Sequence, residues 1–159
     1  PRSKASHFQV ILEQLAQTRP RGETSLAGVL HDLAKRVKRR GMIIICSDCF
    51  DEIEALVNAL HHFRSRGHDT ILIHTMAPEE LNFSFNRWSR FECLEVPSHR
   101  IDLDPVRIRK RYLERVKTFL DDLQRACGQC KCDYMAVTTD RPLGDTLAYY
   151  LSRRMARSK

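Results

Sequence analysis

Arg40-Gly41-Met42-Ile43-Ile44-Ile45-Cys46-Ser47-Asp48 is the stretch whose reading decides the fold. An apolar run from Met42 to Ile45 passes straight into a serine and an aspartate. It is short, rich in isoleucine and free of polar alternation, the pattern of a strand buried on both faces. Such strands belong to parallel sheets covered by helices and suit the centre of the sheet. Open parallel sheets bind ligands just beyond the carboxyl ends of their strands. Asp48 stands at that end, and a carboxylate is costly to bury without a partner. It is therefore expected to serve a divalent-metal site, of which this chain carries only part.

Outward from that strand, helical spacing dominates. Residues 4 to 17 carry His7, Phe8, Ile11, Leu12, Leu15 and Ala16 on one face. Pro20 and Gly22 break the pattern, and Thr24 or Ser25 can cap a second helix with Leu26, Val29, Leu30, Leu33, Ala34 and Val37 inward. Gly41 ends its basic tail. Downstream, Asp51 and Glu54 have the spacing of a capping box ahead of Ile53, Leu56, Val57, Leu60 and Phe63. Thr70 to His74 reads as a second strand, joined to the first by a right-handed crossover. Phe83, Phe85, Phe91, Cys93, Leu94 and Val96 suggest a small hairpin around Asn86-Arg87-Trp88-Ser89. Asp104-Pro105 starts the longest helix, with cap and first-turn proline. Tyr134 to Thr138 reads as a third core strand, and Asp140-Arg141-Pro142 opens a last helix. The fold class expected is α/β: a partial doubly wound, Rossmann-like parallel sheet with flanking helices and a hairpin insertion.

The bulk numbers fit one domain over 159 residues, with 42% apolar and 30% charged residues. No segment is apolar over the 18 or so residues of a membrane span, and no signal peptide opens the chain. The six cysteines, without a secretory signal, are expected as reduced thiols in a cytoplasmic setting. The chain opens on Pro1, so it is expected to be processed, trimmed or cut from something longer.

Several segments together resemble the bacterial DUF58 proteins, which have a von Willebrand factor A-like domain. They are Arg21 to Leu30, Arg40 to Asp48, Gly67 to His74, Pro78 to Phe83, Arg90-Phe91-Glu92, Asp133-Tyr134-Met135 and Thr138 to Leu143. That domain builds a metal-ion-dependent adhesion site (MIDAS) from three loops. The resemblance places Thr24 in the second loop and Asp48 in the third; Ser47 is expected as a loop hydroxyl behind the metal ligands. The first loop, Asp-x-Ser-x-Ser, does not occur in the chain. The resemblance thus implies a domain incomplete at its N-terminus. Mg²⁺ or Mn²⁺ is expected in the complete domain and weak or absent binding in this chain alone, because two oxygen donors hold such an ion poorly. It also implies a protein partner whose acidic ligand completes the metal, and work beside a MoxR-type AAA+ ATPase. A missing first strand would leave Met42 to Ile45 as an apolar edge open to self-association.

Other constellations carry less. Cys46-x-x-Cys49 and Cys127-x-x-Cys130 have zinc spacing. Their strand ends, however, are expected on opposite edges of the sheet, roughly 17 Å apart. Cys127, Cys130 and Cys132 form a possible thiol cluster for a metal or for oxidation, with inert buried thiols as the plainer reading. The basic helix from 105 to 126 and the net charge of +7 make nucleic acid the alternative partner, although Glu114, Asp121 and Asp122 interrupt the run. A metal-dependent hydrolase ranks last, for want of an identifiable nucleophile or general base. The chain is expected to be no enzyme but a metal-dependent protein-binding module.

Overall fold

The computed structural model describes residues 5–19, 25–93, 96 and 98–157. Helix α1 (Ala5–Gln17) and helix α2 (Leu26–Arg36) precede strand β1 (Met42–Ser47). Helix α3 (Ile53–Ser65) leads to β2 (Asp69–Met76), and the short α4 (Pro78–Asn82) to β3 (Ser89–Glu92) and β4 (Arg100–Leu103). The long α5 (Pro105–Gln129), β5 (Asp133–Thr138) and α6 (Leu143–Arg157) complete the order. Capping explains several boundaries. Ser25 Oγ accepts from Gly28 N–H at the start of α2, and Asp104 accepts from Val106 N–H (3.1 Å) ahead of Pro105. Gly67 closes α3 at φ +76°, where a Cβ would also lie 2.8 Å from Arg40 Nε, so no larger residue fits without displacing that arginine.

The sheet is parallel, in the order β1-β2-β5. Ile45 pairs with Leu72, which pairs in turn with Tyr134. This is the expected α/β class, with the strand order corrected. The central strand is β2, not β1. Thr70, Ile71, Leu72 and His74 of β2 are all buried, whereas Met42 and Ile44 of β1 are 53% and 56% exposed. The isoleucine run is covered on one face only: Ile45 meets the core, and even-numbered residues look outward. The hairpin is also displaced. Its strands are β3 and β4, and Phe83 belongs instead to the left-handed end of α4.

Contacts divide the described residues into two compact units. The larger holds residues 25–90 and 102–157. Its core gathers Leu30 and Ala34 of α2, Leu56, Leu60 and Phe63 of α3, Ile45 and Leu72 of the sheet, and Leu123 of α5. Fully burying each large side chain stabilises by about 2 kcal/mol. On the other face, Arg154 of α6 pairs with Asp69 and Asp133, and Tyr150 donates to Asp133 at 3.0 Å. These bonds tie α6 to the amino ends of β2 and β5. The smaller unit holds α1 and the hairpin turn, where Cys93 N–H donates to His99 C=O (2.9 Å). The α1 apolar stripe is open to solvent, with Phe8 63% and Leu15 66% exposed.

Candidate functional site

The turn after β1 is held by its own polar groups. Asp48 Oδ1 accepts from Phe50 N–H (3.3 Å) and from the Ser47 hydroxyl (3.4 Å), while Ser47 Oγ accepts from Cys49 N–H (3.0 Å). From beneath, His74 anchors the same turn. It is fully buried, with Nε2 2.9 Å from the Asp48 carbonyl and Nδ1 2.9 Å from the Tyr134 hydroxyl. A carbonyl can only accept, so Nε2 carries the proton and Nδ1 accepts from Tyr134. Burial pushes the His74 pKa below its ordinary value of 6.5, against the pull of Asp48. The same burial, with nearby thiols, pushes the Tyr134 phenol up to about 12. The ring is thus a neutral connector from β2 to the ends of β1 and β5.

Asp51 has a different task from the one its spacing suggests. Helix α3 starts at Ile53 after Glu52, with no side-chain cap bond. Asp51 Oδ2 instead accepts from Ala27 N–H (3.0 Å) in the first turn of α2, and Oδ1 accepts from Glu52 N–H (2.8 Å). These amides, Ala27 first, hold the Asp51 carboxyl below its ordinary 3.8. The bond joins the β1–α3 turn to the start of α2. An Asp51→Ala chain should lose about 1 kcal/mol in urea titration near neutral pH, the usual loss for a helix cap. Because the folded carboxyl is the more acidic, this contribution is present above pH 3.8 and is lost as pH falls through the lower folded value.

Beyond these strand ends lies a cleft of ≈ 650 Å³. Met76, Tyr112, Val116 and Phe119 supply its apolar lining; Asp48, Asp51, Glu52 and Glu80 bring carboxylates, with Arg115 as the one cation among them. Phe50, also on the lining, is 89% exposed. Tyr112 stacks on Phe83 at 4.2 Å between ring centroids. Phe83 lies under a guanidinium fork: Arg109 donates to the carbonyls of Phe83 (2.9 Å) and Phe85 (2.7 Å) and to Asn86 Oδ1 (2.7 Å). A cleft of ≈ 720 Å³ between β5 and α6 is larger, but its lining includes Asp133, Tyr150 and Arg154, which make the structural ties above.

Of the residues expected to hold metal, Asp48 is exposed in this cleft, Ser47 sits beside it, and Thr24 lies outside the described residues. Among the described residues no three His, Cys, Asp or Glu side chains converge to hold a metal ion. The Asp48 and Asp51 carboxylates are turned to backbone amides. The described residues therefore do not fit a metal centre by themselves.

The thiols sit differently from what strand positions alone suggest. Cys49, at φ +56°, turns inward and is buried in the same core as Cys127, Cys130 and Cys132. It shares a core with them, and among the described residues the thiols do not converge as a metal-binding group. Cys46 stays exposed. The Cys127 thiol is hydrogen-bonded to Cys132, which raises the pKa of Cys127 and lowers that of Cys132. Burial, then Asp48, pushes Cys49 up to about 12.

The basic helix is partly spent on structure. Besides the Arg109 fork, Arg107 pairs with Asp104 (3.4 Å) and Arg125 with Asp122 (2.8 Å). Trp88 is 71% exposed.

The profile of the family described as protein of unknown function DUF58 matches residues 1–118. The chain belongs to the DUF58 family. No curated relative and no solved structure matches it. The match spans both loops of this DUF58 site, the start of α2 and the turn after β1, as well as most of α5. Sequence reading missed the cleft residues Phe50, Glu80, Tyr112 and Phe119. One signal was present: an aromatic set within Asp48-Cys49-Phe50-Asp51, an acidic turn where a bare Phe has no core to enter.

Proposed function

We propose that this DUF58 chain is a protein-binding module whose docking surface is the cleft at the carboxyl edge of the sheet. The observation that carries the reading is an exposed aromatic, Phe50, beside an apolar cleft bearing four carboxylates, on a turn fixed by His74 and Asp51. Rigid aromatic anchors beside apolar clefts are the usual hot spots of protein interfaces. In the complete domain, by resemblance to von Willebrand A domains, Mg²⁺ or Mn²⁺ takes oxygen donors from Thr24 and Asp48, and an acidic ligand of the partner completes its shell. This chain alone supplies too few donors to hold the ion well. A MoxR-type AAA+ ATPase is the partner that the family resemblance suggests, an analogy at fold level. The spent charges on α5 rank a nucleic-acid role below this one.

The test uses a MoxR-type ATPase as probe, by interferometry, in Mn²⁺ and in EDTA. Phe50→Ala should weaken binding about tenfold or more, as hot-spot truncation does. Calorimetry should find tight Mn²⁺ binding only in a longer chain carrying Asp-x-Ser-x-Ser, and Asp48→Ala should weaken it. A longer chain blind to Mn²⁺ removes the cation from the proposal. Binding indifferent to Phe50→Ala removes the cleft.

A further inference from the structure

Helix α5 ends in a backbone turn that stacks two of the buried thiols. Lys131 N–H donates to Gly128 C=O (3.1 Å) and Cys132 N–H to Cys127 C=O (2.9 Å). Lys131, between Cys130 and Cys132, stands at φ +52°, in the left-handed region. Those two bonds and that φ make the Schellman ending of a helix. Such an ending sets the residue after the left-handed position beside one from the last helical turn, and an apolar contact usually fills the place. Here Cys132 lies against Cys127, 6% and 0% exposed, with their thiols hydrogen-bonded.

The other thiols of this core are engaged elsewhere. Cys130 Sγ faces the Val57 carbonyl of α3 (3.8 Å), and Cys49 Sγ the Ser47 carbonyl (3.9 Å). Donors gather on Cys132. Besides Cys127, the Thr70 hydroxyl and the Leu72 amide donate to its sulfur, while its own proton points to the Asp133 carbonyl (3.7 Å). These bonds, that of Cys127 first, outweigh burial and hold the Cys132 thiol below its ordinary 9.0. The same bond, and then burial, push the Cys127 thiol up. One thiol is thus favoured to ionise beside one that keeps its proton.

We propose that Cys127 and Cys132 form a peroxide-reactive pair that closes reversibly to a disulfide across the end of α5. The reactant is hydrogen peroxide, small enough to reach a thiol at a helix end. The Cys132 thiolate attacks one peroxide oxygen; an S–O bond forms, the O–O bond breaks and hydroxide leaves. That hydroxide becomes water with the proton Cys132 gave up. The Cys127 sulfur then attacks the Cys132 sulfur, so that S–S forms and S–O breaks. The second hydroxide takes the Cys127 proton and leaves as water. Two thiols are oxidised, and one peroxide is reduced to two waters. Sulfurs already in contact need little movement to reach the roughly 2 Å of a disulfide. A dithiol reductant reverses the step by exchange.

The test treats the folded 159-residue chain with hydrogen peroxide, blocks free thiols and digests with trypsin. Cys46→Ser and Cys93→Ser remove the exposed thiols beforehand. Lys131 lies between the paired residues, so trypsin opens the loop. The peptide 126–131 should stay joined to the peptide that begins at Cys132, and dithiothreitol should part them. Cys130→Ala, which removes the other cysteine of the first peptide, should keep the junction. Tandem fragmentation between Cys127 and Cys130 locates the bridge without a core substitution, and decides the matter if Cys130→Ala fails to fold. Cys127→Ser should abolish the junction and leave on Cys132 a sulfenic acid that dimedone traps. Cys132→Ser should give no dimedone adduct on Cys127. Thiols at 127 and 132 that remain fully alkylatable after peroxide overturn the inference. A bridge through Cys130 or Cys49, or a dimedone adduct on Cys127 in place of Cys132, overturns it as well.

Discussion

His74→Ala should lower the stability of the fold by about 4 kcal/mol, the largest single loss expected outside the aliphatic core. Two effects add. Truncating a fully buried ring leaves a cavity. It also strips the partner from the Asp48 carbonyl and from the Tyr134 hydroxyl, each a buried or half-buried polar group. His74→Gln should be milder, because its amide can still donate toward Asp48, although it gives up the acceptor for Tyr134. The pH dependence separates the two variants from wild type. The folded pKa of His74 is depressed below 6.5, so the unfolded chain takes up the proton first as pH falls. This histidine therefore leaves stability unaffected well above pH 6.5 and subtracts from it between 6.5 and the folded value, below which the loss levels off. The slope in that window is at most about 1.4 kcal/mol per pH unit for one group. Urea melts at about pH 7.5 and about pH 5.5, either side of the imidazole range, should show this difference in wild type and lack it in His74→Gln. An equal slope in both proteins would assign the titration to another histidine.

Arg109→Lys should cost about 2 kcal/mol, although the charge is kept. The fork reaches three acceptors from one planar head, Phe83 and Phe85 carbonyls and Asn86 Oδ1. An ammonium on a flexible stem cannot span them together. Hydrogen bonds from a charged donor contribute about 1.5–3 kcal/mol each when half-buried, and Arg109→Ala should therefore lose more than Arg109→Lys. The effect reaches the cleft through Tyr112, which stacks on the Phe83 that the fork holds. Faster amide exchange from residues 83 to 88, with the sheet amides unchanged, is the result expected for Arg109→Lys. Unchanged exchange there would mean that the stacked rings hold the segment without the arginine.

Much of this architecture was legible from residue order, because its signals are local. The Asp104-Pro105 start, the glycine after α3 and the apolar period of α3 each act within one or two turns of chain. The misreadings share a cause, which is dependence on a distant partner. A strand's apolar run states how much burial it can use, not how much its neighbours supply, so Ile43 to Ile45 looked central while β2 holds the centre. Asp51 stands at capping-box distance from Glu54, yet its carboxylate is taken by Ala27, 24 residues upstream. Arg109 of α5 is half-buried although it lies in a run of basic residues that reads as solvated. Its acceptors lie 23 to 26 residues away, in a loop whose course no short-range rule describes. His74 was visible at a strand end, but its two partners belong to β5 and to the turn after β1.

The order of strands also has a consequence in time. Strands β1 and β2 are joined by a single helix and can close early as one crossover, with α3 packed on them. The other edge of β2 then waits for β5, which arrives only after α4, the hairpin and all of α5 have been made. Closing the longer excursion carries the greater entropic toll, and pairings between residues far apart along the chain are the slow ones. Until β5 docks, Leu72 and His74 have half of their neighbours, and the most buried strand of the finished protein is the one left exposed longest.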